Sequence, residues 1–176
     1  NEDATKVIAA CAEMPGATVQ FHGDETPGQC QAATQDGRRP YLRAARIPLV
    51  HSARFDLVEF CQLHFQAQAI LLDAHVDGFG GGGKAFNWSH LPASVNSRLV
   101  LSGGLTPANV TDGILQVRPR CTTLAVDVSS GVEADGPDGH PQRGIKDADK
   151  IHRFVAAVRA ADAQLAKNPH EFLPAP

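Results

Sequence analysis

The stretch RLVLSGGLTPANV, residues 98–110, contains the pattern that decides the fold. Its apolar strand, predicted over residues 98–104, ends in a Ser-Gly-Gly cluster. Thr106 and Pro107 then open a helix, because a capping hydroxyl followed by proline at the first helical position is a helix-start signal. Unbroken apolar strands are typical of parallel sheets that are covered on both faces. The stretch therefore predicts a parallel strand that passes through a glycine turn into a helix.

The same pattern of strand, turn and helix recurs on both sides of this stretch. The other predicted strands span residues 17–22, 41–47, 69–73 and 122–130. The predicted helices span residues 3–13, 26–35, 52–65, 89–96, 106–117 and 147–166. Five strands and six helices in strict alternation predict a parallel sheet with right-handed crossovers.

Glycine clusters end the last two predicted strands, at residues 102–104 and 129–131. Five strands alone would also fit an open, doubly wound sheet. A (β/α)8 barrel, however, binds phosphate with the loops after its seventh and eighth strands. We therefore predict an α/β fold of the (β/α)8 TIM barrel type, of which this chain supplies strands 4–8 and the helix after strand 3. Residues 1–176 are predicted to form one domain, with residues 167–176 as an extended tail.

Composition narrows the possible partners. The chain is 43% hydrophobic and 20% charged and has a net charge of −3, which gives no basic surface for nucleic acid. No apolar run approaches the roughly 20 residues that cross a bilayer, and no signal segment opens the chain. We expect a cytoplasmic protein that binds a small sugar phosphate and neither nucleic acid nor membrane. Its oligomeric state, monomer or homodimer, is left open.

The four cysteines are predicted to be reduced and buried. Cys11, Cys30, Cys61 and Cys121 lie far apart, without the paired spacing of a zinc site. Buried thiols of this kind usually serve as small apolar side chains. We therefore predict neither a metal nor another cofactor.

A glycine-rich segment follows the predicted strand 69–73. Five of the six residues between Gly78 and Gly83 are glycine, which suits a mobile active-site loop. A plain linker is the alternative. Phe86 and Trp88 at the end of the segment favour the loop, because large aromatic side chains prefer burial.

Four motifs carry a resemblance to a known family. They are VQFHGDE at 19–25, LLDAHVDGFGGGGKAFNW at 71–88, VLSGGLTPANV at 100–110, and VDVSSGVE at 126–133 with GIKD at 144–147. Together they resemble the phosphoribosylanthranilate isomerases of tryptophan biosynthesis, which have the (β/α)8 fold. The match covers nearly the whole chain. It implies an Amadori rearrangement of N-(5-phosphoribosyl)anthranilate to 1-(2-carboxyphenylamino)-1-deoxyribulose 5-phosphate.

The resemblance also implies roles for individual residues. Asp73 is the implied general acid that protonates the ribose ring oxygen, and Asp127 orients the substrate amine or the sugar hydroxyls. His22 and Gly81 are assigned to substrate binding in support of these carboxylates. The implied phosphate ligands are Ser102, Gly103, Gly104, Ser129, Ser130 and Gly131. Serine and glycine turns suit this task, because their backbone N–H groups bind anions.

The sequence departs from the family pattern at three points. Gly82 stands where the family has Thr or Ser, and Asn87 stands where it has Asp. The family's general base is a cysteine in a Lys-Ile-Cys-Gly motif of the first strand, and no such motif occurs here. None of the four cysteines matches it. We expect the first three β/α units to be absent from the sequence and the 176 residues alone to be inactive.

Two other functions are considered beside the isomerase. One is an incomplete, catalytically inactive half-barrel that binds phosphate and pairs with another chain. The other is an indole-glycerol-phosphate synthase, which would require a catalytic Lys and Glu at strand ends. Lys84 and Lys146 both lie in predicted loops, and no glutamate lies at a predicted strand end, which counts against the synthase.

Overall fold

The parallel sheet predicted from the alternating pattern is present in the computed structural model, which describes residues 1–49, 55–75, 86–137 and 139–167. Its strands are β1 (Val19–Phe21), β2 (Tyr41–Pro48), β3 (Ala69–His75), β4 (Val95–Leu101) and β5 (Cys121–Val126). They pair in the order β1-β2-β3-β4-β5, and every pair is parallel. This sequential order is that of a barrel wall, because a doubly wound sheet reverses its strand order at a switch point.

Helices alternate with these strands along the described chain. The α-helices are α1 (Ala4–Ala12), α2 (Pro27–Ala33), α3 (Leu57–Leu63), α4 (Val110–Val117) and α5 (Ala148–Lys167). Three short 3-10 turns cover Trp88–His90, Arg118–Arg120 and Ser130–Val132. The predicted helix start at Thr26 is confirmed: Thr26 and Gln29 form a reciprocal capping box, and Pro27 is the first helical residue.

The core lies between the sheet and the helices that follow its strands. Leu72 on β3 and Leu99 and Leu101 on β4 are buried there, in one cluster with apolar residues of α4 and α5. Phe21 and Tyr41 form a smaller cluster near α2, with their rings 5.5 Å apart in an edge-to-face arrangement. The central strands are therefore covered on the helix side, which leaves their carboxyl ends to form a site.

Two predicted elements are wrong in detail. The helix predicted over 89–96 is a 3-10 turn at Trp88–His90, and β4 begins at Val95. Pro92 explains the difference, because it has no N–H group to continue a helix. The helix predicted from Thr106 begins at Val110 instead. Asn109 precedes the helix without a side-chain cap hydrogen bond. Its side chain instead binds the preceding loop: its Oδ1 accepts the Thr106 N–H at 2.8 Å, and its Nδ2 donates to the Gly104 carbonyl at 3.0 Å.

The polar stretch after β5, for which no strand was predicted, forms a hairpin. Strands β6 (Glu133–Asp135) and β7 (Pro141–Lys146) pair antiparallel there. Both β4 and β5 end earlier than predicted, so that Ser102 and Asp127 lie just past their strands. The glycine-rich residues 76–85, with Gly81 and Gly82, and the tail 168–176 lie outside the described residues.

All four cysteines are buried and unpaired, as predicted. Cys11, Cys30 and Cys61 lie on α1, α2 and α3, and Cys121 is the first residue of β5. In the described ranges, no group of three or more His, Cys, Asp or Glu side chains is placed to hold a metal ion. Of the helices that the structure describes, none is at once long and apolar enough to cross a membrane.

Candidate active site

A cavity of about 790 Å³ lies at the carboxyl ends of the parallel strands. Chemistry in parallel barrels takes place at this end, because the loops after several strands converge there. Nine of the ten residues predicted for the site line the cavity: His22, Asp73, Ser102, Gly103, Gly104, Asp127, Ser129, Ser130 and Gly131. The tenth, Gly81, lies outside the described residues. The structure thus brings together residues that are up to 109 positions apart, from His22 to Gly131.

Asp73 is the most deeply placed acid of the cavity. Only 4% of its surface is exposed, although it lies two residues before the last residue of β3, near the mouth of the cavity. Its Oδ1 accepts the backbone N–H of Ala74 at 2.9 Å, and its Oδ2 lies 3.0 Å from Nε2 of His22. A buried carboxyl that is bound at both oxygens has a fixed orientation. Asp73 can therefore present a proton, or accept one, in one direction.

His22 connects Asp73 to the end of β1. Its Nδ1 lies 3.4 Å from Nε2 of Gln20, which is an amide donor. When Nδ1 accepts this hydrogen bond, the proton of the neutral imidazole is on Nε2 and points at Asp73. The chain Gln20, His22 and Asp73 therefore favours one tautomer, in which His22 donates to the carboxyl.

Arg43 on β2 holds the loop that contains His22. Its guanidinium donates to the carbonyl of Phe21 at 3.2 Å and to that of Gly23 at 3.1 Å, one on each side of His22. It also donates to the Glu25 carbonyl at 3.2 Å. Arg43 is 5% exposed, and burial lowers its pKa. The buried guanidinium thus fixes the backbone on both sides of His22.

Gly103 allows the first glycine loop to touch Asp73. A Cβ atom at this position would lie 2.6 Å from Oδ1 of Asp73 and 2.8 Å from the Ala74 nitrogen. The backbone of Gly103 also has a φ of +76°, which L side chains rarely adopt. A residue without a side chain is therefore required where the loop after β4 approaches the acid.

Ser102 and Asp127 form a second polar contact at the mouth. The hydroxyl of Ser102 donates to Oδ2 of Asp127 at 3.0 Å. The backbone N–H groups of both residues continue the sheet, bound to Leu72 and Leu101 carbonyls at 2.9 Å. The amide of Ser102 is thus already used, which leaves the amides of the following glycines as the anion donors of this loop.

The loop after β5 packs directly on the loop after β4. A Cβ atom at Gly131 would overlap the carbonyl oxygen of Leu105, so the two backbones are in contact. Lys146 ties the second loop to the hairpin: its Nζ donates to the Ser129 carbonyl at 2.8 Å and lies 3.2 Å from Oε1 of Glu133. The two predicted phosphate loops therefore form one wall of the cavity.

Sequence reasoning missed several residues of this site. Gln20 lies two positions before His22, so that strand periodicity places it on the same face, which is the signal that could have found it. Arg43 offers no such signal, because its carbonyl partners are set by the fold. Glu133 and Arg143 belong to the β6–β7 hairpin, in a stretch for which neither a strand nor a helix was predicted.

Comparison with known proteins gives a consistent result. The sequence model of the N-(5′phosphoribosyl)anthranilate (PRA) isomerase family matches residues 1–157. The N-(5′-phosphoribosyl)anthranilate isomerase of Methylibium petroleiphilum is 55% identical over 161 residues, which are 92% of this chain and 67% of the relative. That of Leptothrix cholodnii is 53% identical over 164 residues, which are 93% of this chain and 66% of the relative.

Solved structures show the same likeness. The phosphoribosyl anthranilate isomerase of Thermus thermophilus has a TM-score of 0.66 and 27% identity, and the match covers 91% of this chain and 69% of that one. The Thermococcus kodakaraensis enzyme has a TM-score of 0.59 and 26% identity, with 90% and 71% covered. The chain spans about two thirds of the length of the curated relatives that it matches. The fold is thus parallel α/β of the TIM-barrel type.

Proposed function

Because the chain belongs to the N-(5′-phosphoribosyl)anthranilate isomerase family, we propose that its cavity carries out the Amadori rearrangement of N-(5′-phosphoribosyl)anthranilate in tryptophan biosynthesis. The observation that carries the proposal is the placement of Asp73: a buried acid between His22 and Gly103, at the mouth of a parallel barrel wall and beside two glycine loops. The substrate is a small sugar phosphate whose phosphate and reacting carbons must be held at opposite ends of one cavity.

The first step is a proton transfer. Asp73 donates its proton to the ring oxygen of the ribose, the bond between that oxygen and C1 breaks, and the nitrogen lone pair forms a double bond to C1, which gives a protonated imine (iminium). The resulting carboxylate is then bound by the Ala74 N–H and by Nε2–H of His22. These two donors point at the oxygens on which negative charge appears, so they stabilise the product of the proton transfer.

The second step moves a proton from C2. A base removes it, and the electrons of the C2–H bond form a C1–C2 double bond while the C1–N double bond returns to the iminium nitrogen as a lone pair. The resulting enolamine takes up a proton at C1 and loses the proton of the C2 hydroxyl, which gives the aminoketose. None of the four cysteines lines the cavity, and burial raises the pKa values of Cys30 and Cys121 to about 11. We therefore assign the base to none of these thiols. Both steps move only protons, so the proposal requires no cofactor.

The other residues of the cavity are proposed to bind and orient the substrate. Asp127 is exposed and held by the Ser102 hydroxyl, which suits an acceptor for the substrate amine or a sugar hydroxyl. The backbone amides of Gly103, Gly104, Ser130 and Gly131 are proposed to hold the phosphate. Among the described residues, these amides donate to no carbonyl or side chain, so they are open to an anion.

The test is a turnover assay on the full-length protein with Asp73→Asn. Asparagine keeps the size of the side chain but has no acidic proton, so we expect kcat/KM to fall by about 1000-fold or more. Inhibition by inorganic phosphate should be unchanged, because the glycine loops are intact. Asp36→Asn, in an exposed turn, is the matched control with normal kinetics.

Turnover by Asp73→Asn at the wild-type rate would exclude Asp73 as the acid. Phosphate binding by a full-length wild-type protein that never turns over the substrate would instead support the phosphate-binding half-barrel. The isomerase and the binding module are thus separated by one set of assays.

A further inference from the structure

The β6–β7 hairpin contributes two residues of β7 to the active-site cavity. Pro141 and Arg143 line it together with Ser129 and Ser130 of the second glycine loop. The hairpin therefore stands directly beside the wall to which the phosphate is assigned. No step of the proposed isomerisation uses either of these two residues.

The position of Arg143 is fixed by its neighbours on β7. Oε1 of Glu133 accepts the Gly144 N–H at 2.9 Å and lies 3.2 Å from Nζ of Lys146. Lys150 on α5 donates to the Glu133 carbonyl at 2.8 Å, which ties the hairpin to the last helix. The residues after Arg143 are thus anchored to the first strand of the hairpin, and Arg143 is held at the cavity rim.

A phosphate group bound in this cavity requires a positively charged partner. Asp127 and Glu133 line the cavity beside the proposed acid Asp73, and a phosphate dianion bound at the glycine loops would add two negative charges. Among the described lining residues, Arg143 is the one side chain with a full positive charge. Glu133 is already paired with Lys146, so the charge of Arg143 is left for a ligand.

The chemistry of Arg143 suits phosphate. A guanidinium presents a planar set of N–H donors that binds two phosphate oxygens at once. Arg143 interacts electrostatically with Glu133, but it forms no hydrogen bond or ion pair with any residue in the described ranges. Its donors are therefore open. It is also exposed at the rim, where it can approach a ligand from outside.

We propose that Arg143 binds the phosphate group of the substrate from the hairpin side and completes the anion site that the two glycine loops form. The proposal rests on the proposed isomerase function for the identity of the ligand. It makes the hairpin a part of the substrate-binding surface, since the hairpin positions the cation of the site.

The test compares Arg143→Gln and Arg143→Lys with the wild-type full-length protein. For Arg143→Gln we expect KM to rise about 10- to 100-fold, as for the loss of a charge-assisted hydrogen bond, while kcat changes less than about threefold. Inhibition by inorganic phosphate should weaken by the same factor as KM. The KM of Arg143→Lys should lie between those of the wild type and Arg143→Gln, because an ammonium keeps the charge but loses the bidentate geometry.

Arg153→Gln is the matched control, since it removes one positive charge from the exposed outer side of α5. An equal change in KM in this control would show a bulk charge effect and overturn the proposal. Calorimetric titration with inorganic phosphate measures the affinity without turnover. Equal phosphate affinity in wild type and Arg143→Gln overturns the role of Arg143. Normal phosphate binding without any isomerisation overturns the isomerase function instead.

Discussion

The backbone of Gly103 lies so close to Asp73 that a methyl group on its Cα would stand 2.6 Å from the carboxyl oxygen Oδ1. The loop after β4 therefore serves two functions at once. It offers its amides to the proposed phosphate, and it confines the proposed acid from one side while His22 confines it from the other. Through this contact, a single residue without a side chain joins the glycine loop proposed to bind phosphate to the proposed acid.

Gly103→Ala is expected to impair both the fold and the reaction. The new Cβ would displace the Asp73 carboxyl, and alanine at a φ of +76° is strained by about 1–2 kcal/mol. We expect a comparable loss in the free energy of unfolding in urea, and a fall in kcat/KM of about 10-fold or more. Gly28→Ala in α2 is the control, because a methyl group on its Cα would have no atom within 4 Å. Normal kinetics in Gly103→Ala would show that Asp73 is not confined there.

The tautomer of His22 provides a second test that requires no substrate. If Gln20 donates to Nδ1 and Nε2–H points at Asp73, the ¹⁵N spectrum of the neutral His22 ring should show a protonated Nε2 and an unprotonated Nδ1. Gln20→Leu removes the donor and should shift the population toward a mixture of tautomers. A spectrum of His22 with the proton on Nδ1 in the wild type would contradict the proposed hydrogen-bond chain.

The residues at the ends of the parallel strands could be predicted from the sequence, whereas the residues that support them could not. Asp73, Ser102 and the two glycine loops were predictable, because buried parallel strands are unbroken apolar runs and the polar residues after them meet at one edge. Arg43 was not predictable as part of the site. Its strand contains a second arginine, Arg46, and the carbonyl partners of Arg43 around His22 come together only in the folded chain.

The hairpin shows a different limit of prediction. The stretch from Glu133 to Lys146 is rich in polar residues, glycine and proline, which are typical of loops. Its pairing places Glu133 opposite Lys146, and the Gly144 N–H donates to Oε1 of Glu133. The prediction of a helix over 89–96 was wrong for a local reason. Pro92 blocks the helix, and the sheet takes the chain from Val95.

Arg43→Lys tests whether the buried guanidinium positions His22. A lysine ammonium cannot reach the carbonyls of Phe21, Gly23 and Glu25 together, so at least one buried acceptor loses its partner. We expect the free energy of unfolding to fall by about 2–4 kcal/mol and kcat to fall further than KM changes. Arg38→Lys, in an exposed turn, should match the wild type. Equal stability of Arg43→Lys and wild type would show that the buried guanidinium is dispensable.

The pH dependence of the free energy of unfolding should reveal the lowered pKa of the buried His64. Burial first, and then the charge of Arg43, lower its pKa from 6.5 to about 4, and its side chain packs on Phe60 with the rings 4.6 Å apart. His64 is 5% exposed, and its Nδ1 has no hydrogen-bond partner among the described residues. The unfolded chain therefore takes up this proton at a higher pH than the folded chain does.

Stability from His64 is fully present above pH 6.5 and falls as the pH drops toward 4, because only the unfolded state is protonated in this window. The shift corresponds to roughly 3 kcal/mol across the window. His64→Leu should remove this slope from urea unfolding measured between about pH 7 and pH 4, whereas the exposed control His152→Leu should keep it. Burial raises the pKa of Glu25, but its hydrogen bonds and positive neighbours lower it overall, so Glu25 reduces stability at low pH equally in both variants. The difference between the two leucine variants therefore isolates His64, and equal slopes would show that its imidazole is protonated in the folded state.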